Sequence, residues 1–263
     1  MAQHNPQNKS IALVTGASRK IGIGAAIAKT LAQSGWHVAT TYWRTYDDSM
    51  PWRSQADEAQ AIIKQVGEFG SSGLGIEADL ADTSVPMKIF DQVEESLGPV
   101  TALVMSHCHS VDSNIFTTTI KSFDQHFAIN SRATWLLVRE FGKRYQGEFG
   151  DGRIISITSD HTVENLPYGA SKGAMDRIVL AAAQEFKGLG ITANVINPGA
   201  TDTGWMTDEL MAHERERTPL GRIGTPQDCA NLVRFLCSSE GGWINGQLLF
   251  SNGGVGSASQ LGI

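Results

Sequence analysis

The chain carries the run Thr15-Gly16-Ala17-Ser18-Arg19-Lys20-Ile21-Gly22-Ile23-Gly24, and this stretch decides the fold. A short apolar segment, Ser10 to Val14, leads into it, and apolar residues at helical spacing follow from Ala25. The pattern predicts a strand, a glycine-rich turn and a helix that ends at Ser34-Gly35, because glycine tolerates the left-handed conformation after a helix. Such a turn lets backbone N–H groups and the positive end of the helix approach a pyrophosphate. A glycine-rich loop without a ligand is the alternative.

Six further apolar segments predict strands. They are His37 to Tyr42, Gly73 to Ala78, Ala102 to Ser106, Arg153 to Thr158, Thr192 to Asn197 and Gln247 to Phe250. Helical patterns lie between them, and continuous apolar strands are typical of a sheet that is buried on both faces. The sequence therefore predicts an α/β fold, a doubly wound parallel sheet of about seven strands with helices on both faces. We expect a polar N-terminal tail at residues 1–9, one domain at residues 10–263, and a long loop at Thr45 to Ser54.

Composition narrows the class of protein. The chain has 263 residues, 41% hydrophobic and 18% charged, which is enough to bury one large core. Its net charge of -6 argues against a nucleic-acid partner. No signal-peptide core and no membrane-length apolar run is visible, so we expect no membrane partner. The scattered cysteines Cys108, Cys229 and Cys237 fit a reducing compartment, and we expect a cytoplasmic protein.

A tyrosine and a lysine stand four residues apart in the run Tyr168-Gly169-Ala170-Ser171-Lys172. On a helix, positions i and i+4 share a face, so the Lys172 ammonium is expected beside the Tyr168 phenol. A cation there would lower the pKa of Tyr168 and make it a usable general acid or base. The spacing alone also arises by chance on helix surfaces, so its context decides.

Several short motifs, in this order, resemble the short-chain dehydrogenase/reductase family from about Ser10 to Gly254. They are Thr15-Gly16 with Gly22, Asp79 after the third strand, Asn130 within a helix, Ser159, Tyr168 with Lys172, Asn197-Pro198-Gly199, and Gly221-Arg222-Ile223-Gly224-Thr225-Pro226. The ending Gly246-Gln247 to Asn252-Gly253-Gly254 is similar to that of 3-oxoacyl carrier-protein reductases and related bacterial ketoreductases. The resemblance implies a Rossmann fold and a nicotinamide-dependent oxidoreductase.

The resemblance also implies four catalytic residues, Asn130, Ser159, Tyr168 and Lys172. Tyr168 would donate a proton to a substrate carbonyl, while Lys172 holds the nicotinamide ribose and Ser159 steadies the carbonyl oxygen. The hydride would come from C4 of the nicotinamide. Asn130 resembles the helix residue that holds a water in a proton relay, and an ordinary buried amide is its alternative.

The loop between the serine and the tyrosine departs from the family pattern. Only eight residues separate Ser159 from Tyr168, fewer than is usual among relatives. Thr158 and Ser156 are therefore alternative hydroxyls, and Ser159 itself has the alternative of merely ending a strand. The short loop, Asp160 to Pro167, is expected to widen one wall of the substrate cleft.

A larger set of residues is expected to bind the cofactor. It comprises Gly16, Ser18, Arg19, Lys20, Ile21, Gly22, Arg44, Asp79, Leu80, Ser106, His107, Tyr168, Lys172, Pro198, Gly199, Thr201 and Thr203. The second strand ends Thr40-Thr41-Tyr42-Trp43-Arg44, without the acidic residue that holds the ribose 2′-hydroxyl in NAD enzymes. Together with Arg19, Lys20 and Arg44, this favours NADP(H). Solvated surface charges are the alternative for Lys20 and Arg44.

A second departure follows the fourth strand, where Met105-Ser106-His107-Cys108 replaces the Asn-Asn-Ala-Gly of the family, and His109 comes next. Adjacent residues rarely present three ligands to one tetrahedral zinc ion. We therefore expect no metal, and we expect packing and cofactor contacts from this segment.

The sequence favours an NADPH-dependent reductase that converts a ketone or 3-oxoacyl carbonyl to a secondary alcohol. The reverse reaction of an alcohol dehydrogenase, and a nucleotide-binding sensor or scaffold without turnover, are the alternatives. A substrate lid is expected at about residues 203–222, with a helix-prone segment at Thr207 to Arg217, and a permanently packed helix is the alternative there. By resemblance we expect a homotetramer or dimer, formed through helices around Phe123 to Tyr145 and Tyr168 to Phe186.

Overall fold

The structure is a computed structural model that describes residues 10–256; the tail predicted at 1–9 and residues 257–263 of the predicted domain lie outside the described residues. Within that range seven strands form one parallel sheet. Their bounds are β1 (Ile11–Thr15), β2 (His37–Tyr42), β3 (Gly73–Glu77), β4 (Ala102–Met105), β5 (Arg153–Ile157), β6 (Thr192–Asn197) and β7 (Leu248–Phe250). Their order is β3-β2-β1-β4-β5-β6-β7. Each predicted strand is confirmed to within one residue at either end.

Helices connect the strands and cover the sheet. Their bounds are α1 (Ile23–Gln33), α2 (Arg44–Ser49), α3 (Glu58–Glu68), α4 (Val85–Ser96), α5 (Ile120–His126), α6 (Ala133–Arg144), α7 (Leu166–Glu185), α8 (Asp208–Arg217) and α9 (Pro226–Cys237). A π-helical turn, Phe127–Arg132, joins α5 to α6. The predicted end of α1 is confirmed, since Ser34 is its C-cap and Gly35 has a φ of 89°.

The prediction that Thr45 to Ser54 is entirely loop is wrong, because α2 occupies Arg44–Ser49. Sequence propensity is a weak guide for such a short segment, and tertiary contacts override it. Here Tyr46 reaches Ser110 through hydrogen bonds, and Asp47 is buried beneath Trp52. The contact between Tyr46 and Ser110 joins residues 64 positions apart, far beyond the range over which a local pattern carries information.

Two apolar cores lie on the two faces of the sheet. On one face α4, α6 and α7 bury side chains such as Phe90, Phe141 and Val179. On the other face α1, α3 and α9 bury a second set, of which Ile27 and Ile62 are fully enclosed. Full burial of each such side chain stabilises the fold by roughly 1.5–3 kcal/mol. Cover on both faces explains why the strand sequences are apolar throughout.

The strand order creates a crevice at one edge of the sheet. β1 lies between β2 and β4, with Thr15 opposite Met105 in the register. The chain leaves β1 towards β2 and β3 and later returns to β4 on the other side, so the connections diverge there. Ligands of doubly wound sheets bind at such a point, outside the carboxyl ends of the strands. The glycine-rich turn and the segment after β4 both start from this edge.

No helix within residues 10–256 combines the length and apolar character needed to cross a membrane.

Candidate active site

The glycine turn after β1 allows a ligand to approach its backbone closely. Gly16 has a φ of 77°, and a Cβ at this position would stand 2.6 Å from the backbone of His107. A Cβ on Gly24 would stand 2.5 Å from the Gly16 carbonyl oxygen. Gly22 is the N-cap of α1 and provides no side-chain cap, so the first amides of the helix are left to bind an anion. The turn thus fits a pyrophosphate group.

Tyr168 and Lys172 lie on the first turns of α7, as predicted, and meet near the carboxyl end of β5. The Lys172 side chain is buried, and its Nζ donates to the carbonyl of Ile157 at 2.8 Å and to that of His107 at 3.4 Å. The same nitrogen lies 5.8 Å from the centroid of the Tyr168 ring. The ammonium therefore ties α7 to the strands while it stands over the face of the tyrosine.

The expected lowering of the Tyr168 pKa is wrong for this structure. Burial raises the pKa of Tyr168, the neighbouring Cys108 adds to the rise, and a hydrogen bond with Ser159 opposes it. The Lys172 ammonium bonds backbone carbonyls rather than the phenol oxygen. Burial also lowers the pKa of Lys172, against the opposing influence of Cys108 and Asp176.

Ser159, two residues after β5, is the hydroxyl that lies close enough to the Tyr168 phenol to lower the pKa of that phenol. Its Oγ also accepts a hydrogen bond from the His161 amide at 3.1 Å. The alternative hydroxyl of Ser156 is fully buried within the strand, and that of Thr158 is nearly so. The geometry therefore favours Ser159 over both alternatives.

Asn130 is fully buried in the π-helical turn, a feature that is frequent at functional sites. Its Oδ1 accepts from the His109 amide at 2.7 Å, and its Nδ2 donates to the His109 carbonyl and to the Ser171 hydroxyl, each at 2.9 Å. The side chain thus joins the segment after β4 to α7. Its part in a proton relay stays a prediction, because the described bonds are those of a well-satisfied buried amide.

His107 belongs to the segment after β4 whose sequence departs from the family pattern. Its Nε2 donates to the Ile129 carbonyl at 3.2 Å, so its Nδ1 must accept the 2.7 Å hydrogen bond from the Thr15 hydroxyl. Burial, reinforced by the charge of Lys172, lowers the pKa of His107 to about 3. The ring is a neutral brace inside the fold, and its contact with a cofactor stays a prediction. No group of three or more metal-ligating side chains comes together within residues 10–256.

The three basic residues that favour NADP(H) in the sequence, Arg19, Lys20 and Arg44, do not cluster at one point of the structure. The Arg19 guanidinium donates to the Thr203 carbonyl and lies 5.5 Å from the Trp52 ring. Lys20 is exposed, and the Arg44 side chain is drawn to Asp48, 3.5 Å away. Arg19 therefore packs against the lid segment and Trp52, Lys20 lies exposed on the same turn, and the Arg44 guanidinium pairs with Asp48 along α2.

Sequence reasoning missed an acidic residue at this end of the crevice. Asp47 is only 6% exposed, and the groups around its carboxyl include the Ser18 hydroxyl, the Trp52 indole and the charge of Arg19. The sequence feature that could have pointed to Asp47 is the Asp47-Asp48 pair, which lies in the segment predicted to be a loop.

The remaining predicted cofactor residues line the loops around the same edge. Gly199 has a φ of 62°, and the Thr201 hydroxyl donates to the Gly199 carbonyl at 3.2 Å. The Asp79 carboxylate accepts from the Ala81 amide at 2.9 Å, whereas Leu80 turns into the core. Ile21 packs against the lid segment, since a Cβ on Gly204 would stand 2.4 Å from its side chain. Pro198 precedes Gly199, and the Ser106 amide donates to the Thr15 carbonyl at 3.2 Å.

The predicted lid begins at this contact. Thr207 caps α8 by accepting from the Leu210 amide at 3.3 Å, and none of the residues of α8 is buried. Trp205, just before the helix, is half exposed. A helix with so little packing against the fold is suited to move, which favours the lid over a permanently packed helix.

These features fit a nicotinamide dinucleotide. The glycine turn and the open end of α1 would hold the pyrophosphate, and Lys172 would lie near the nicotinamide ribose, where Tyr168 and Ser159 would face a substrate. The donors are polar groups at the carboxyl ends of parallel strands, as nucleotide sites of this fold require.

Comparisons with known proteins agree with this arrangement. The profile of a family described as Enoyl-(Acyl carrier protein) reductase matches residues 16–256. The uncharacterized oxidoreductase YjdA of Bacillus subtilis (strain 168) is 38% identical and covers 94% of this chain and 96% of its own. The NADPH-dependent aldehyde reductase-like protein, chloroplastic, of Arabidopsis thaliana is 31% identical, with 93% of both chains covered.

A solved structure shows the same fold. The crystal structure of a short chain dehydrogenase from Burkholderia cenocepacia J2315 in complex with NADP superimposes with a TM-score of 0.83, at 32% identity, over 96% of this chain and 99% of that one. The family profile, the relatives and the strand order all indicate the same family of proteins. The chain is an oxidoreductase that belongs to the short-chain dehydrogenase/reductase family.

Proposed function

We propose that this protein is an NADPH-dependent reductase that converts a ketone or 3-oxoacyl carbonyl to a secondary alcohol. The observation that carries the proposal is the meeting of Tyr168, Ser159 and Lys172 at the edge of the sheet that also bears the glycine turn. A general acid, a second hydroxyl and a buried cation lie together there. This combination suits stabilisation of charge on a carbonyl oxygen.

When bound, NADPH would supply the hydride, which would pass from C4 of its nicotinamide to the carbonyl carbon. Tyr168 donates its phenolic proton to the carbonyl oxygen, which completes the alcohol. The Ser159 hydroxyl donates to the same oxygen and orients it towards Tyr168. Lys172 would hold the nicotinamide ribose, and its charge would favour the phenolate that remains until a proton returns from solvent.

The choice of NADPH rests on Arg19 and on the relatives. Arg19 lies at the glycine turn, where a guanidinium can pair with a 2′-phosphate. The Arabidopsis relative is named as NADPH-dependent, and the Burkholderia structure contains NADP. Asp47 is the opposing feature, because a carboxylate repels a phosphate.

The test is the loss of NADPH absorbance, with NADH in parallel, across ketones, aldehydes and 3-oxoacyl thioesters. Tyr168→Phe removes only the phenolic oxygen and should reduce turnover by at least about 10²-fold. Tyr145→Phe is the matched control, because the Tyr145 hydroxyl donates to Glu148 on the surface, away from the crevice. Equal turnover by Tyr168→Phe and wild type would contradict the mechanism. NADPH binding without turnover of any carbonyl or alcohol would favour a sensor.

We also propose that the protein assembles with further copies of itself and acts in the cytoplasm. An apolar groove on α5, the π-helical turn, α6 and α7 is lined by Phe127, Trp135 and Ile178 together with Asp124 and Arg132. A two-fold axis through this groove would bring the same patch of both copies together, and its opposite charges, Asp124 and Arg132, make the patch capable of pairing with itself. The edge strand β7 exposes Leu248 and Phe250 and offers a second face, as a tetramer needs. Light scattering tests this, and a monomer would contradict it.

A further inference from the structure

The segment Arg44–Asp57, here called the strap, leaves β2 and extends towards the loop after β4. The Tyr46 hydroxyl donates to the Ser110 carbonyl and accepts from the Ser110 amide, each at 3.2 Å. The Tyr46 ring centroid lies 5.3 Å from that of His109. The strap is thus attached to the segment that follows β4, on one side of the crevice.

The strap is also attached to the glycine turn on the other side of the crevice. The Trp52 ring lies 5.5 Å from the Arg19 guanidinium. The Glu58 carboxylate, directly after the strap, accepts from the Lys20 amide at 2.7 Å and from the Gln55 amide at 3.1 Å. Because it contacts both the turn after β1 and the loop after β4, the strap spans the opening between these strands, where a dinucleotide would enter.

Asp47 is the acidic group that the strap places against the turn. It is 6% exposed, and its Oδ1 accepts from the Trp52 indole at 3.4 Å. The Ser18 hydroxyl and the Arg19 charge favour its ionised form, against the burial that raises its pKa. A hydroxyl and a guanidinium beside a helix N-terminus are also the groups that bind phosphate. The carboxylate and a cofactor phosphate therefore need the same partners.

We propose that, in the nucleotide-free protein, Asp47 occupies the position beside Ser18 and Arg19 that would bind the 2′-phosphate of the cofactor, and that the strap must release Asp47 before the cofactor binds. The inference rests on the proposed function in taking NADPH as that cofactor. In the nucleotide-free protein, the Asp47 carboxylate then competes with the cofactor phosphate for the same binding groups. Its apparent affinity for the nucleotide is reduced by the small fraction of molecules in which the strap is open.

The experiment is calorimetric titration with NADPH, NADH and 2′,5′-ADP of the wild type, Asp47→Asn and the control variant Asp151→Asn. Asparagine keeps the shape of the side chain but not its charge. We expect Asp47→Asn to bind NADPH and 2′,5′-ADP about tenfold more tightly, with a smaller gain for NADH, which lacks the 2′-phosphate. Asp151→Asn should bind like the wild type, because Asp151 is exposed just before β5, at the amino ends of the strands and opposite the crevice.

Trp52→Phe provides a second variant if Asp47→Asn does not fold. It removes the indole donor to Asp47 and keeps an aromatic ring for Arg19, so it should tighten NADPH binding by about two- to threefold. Unchanged or weaker NADPH binding by these variants would overturn the proposal. A loss of NADH binding alone would also overturn it, because Asp47 would then hold the ribose hydroxyls of NADH.

Failure of the proposed function and failure of the strap proposal give different experimental results. Tighter NADPH binding by Asp47→Asn would support the role of the strap even if no carbonyl compound were reduced. Conversely, NADPH-dependent turnover together with unchanged binding by Asp47→Asn would overturn the strap proposal alone. If no nucleotide bound to the wild type or to any variant, the cofactor assignment and the strap proposal would both be wrong.

Discussion

The hydroxyl of Thr15, the last residue of β1, donates a 2.7 Å hydrogen bond to Nδ1 of His107, which follows β4. The two residues are 92 positions apart in the chain. Because Nε2 of the same ring bonds the Ile129 carbonyl, His107 is held in its neutral form and joins β1, β4 and the π-helical turn. The brace occupies a position where the family pattern has a much smaller residue.

His107 should therefore make stability depend on pH. Its folded pKa of about 3 lies below the ordinary histidine value near 6.5. The unfolded chain binds the extra proton first as the pH falls, so this stabilisation is complete above about pH 6.5 and declines towards pH 3. Between pH 7 and 5 the wild type should lose about 2 kcal/mol of unfolding free energy through His107.

Denaturant unfolding of His107→Gln at both pH values provides the measurement. The glutamine variant should be less stable at pH 7 and should show a smaller difference between the two pH values. His109, whose pKa burial lowers to about 4, and His126 contribute in the same direction and remain in the variant. An identical pH dependence in wild type and His107→Gln would show that His107 is not held neutral.

The pH dependence of reduction should follow from the raised pKa of Tyr168. A phenol whose pKa lies above its ordinary value stays protonated at neutral and moderately alkaline pH. We therefore expect kcat/KM for carbonyl reduction to remain level up to at least about pH 9, as far as Tyr168 determines it. Steady-state rates across this range provide the measurement. A fall near pH 7 that is absent from the stability profile would mean that the bound cofactor and Lys172 lower this pKa.

Two serines, Ser156 within β5 and Ser159 just after it, should differ in effect. Ser159→Ala removes the hydroxyl that bonds Tyr168 and should lower kcat by about 10²-fold. Ser156→Ala changes a fully buried hydroxyl and should leave kcat within about threefold of the wild type. The measurement is kcat of both variants and of the wild type at saturating NADPH. Equal losses in the two variants would assign the Ser159 effect to strand packing.

Gly169 should control the short loop over the cleft. A Cβ there would stand 2.4 Å from the Thr162 side chain and 2.5 Å from the His161 carbonyl oxygen, so Gly169→Ala must displace this loop. We expect the KM for the carbonyl substrate to rise several-fold and the NADPH dissociation constant to stay the same.

Gly173→Ala is the matched control for Gly169→Ala. It lies one turn later on α7, and a Cβ there would meet no atom within 4 Å. Alanine in a helix should raise the unfolding free energy by about 0.5–1 kcal/mol without changing KM. Equal KM values in the two variants would mean that the loop contact at Gly169 does not shape the cleft.

The order of the elements was predictable because it depends on local patterns. Apolar segments of strand length and the glycine after α1 are each recognisable within a few residues, and the structure confirms them. The i and i+4 spacing likewise placed Tyr168 and Lys172 on one face of α7. The family assignment followed from the order of such motifs and is confirmed by the comparisons.

The electrostatics of the site were not predictable, because burial and contacts between distant segments determine them. The Lys172 ammonium bonds the carbonyls of Ile157 and His107, and desolvation raises the Tyr168 pKa that the sequence pattern was expected to lower. Asp47 lies against Ser18 because the strap folds across the crevice.

The sequence by itself therefore determined the parallel sheet, the nucleotide turn and the tyrosine and lysine pair, since each is specified by residues close together in the chain. The tertiary structure alone decided which charges face one another and how far each is removed from water. Coulomb and desolvation energies depend on distance and burial in space, and the spacing of residues in the chain carries neither quantity.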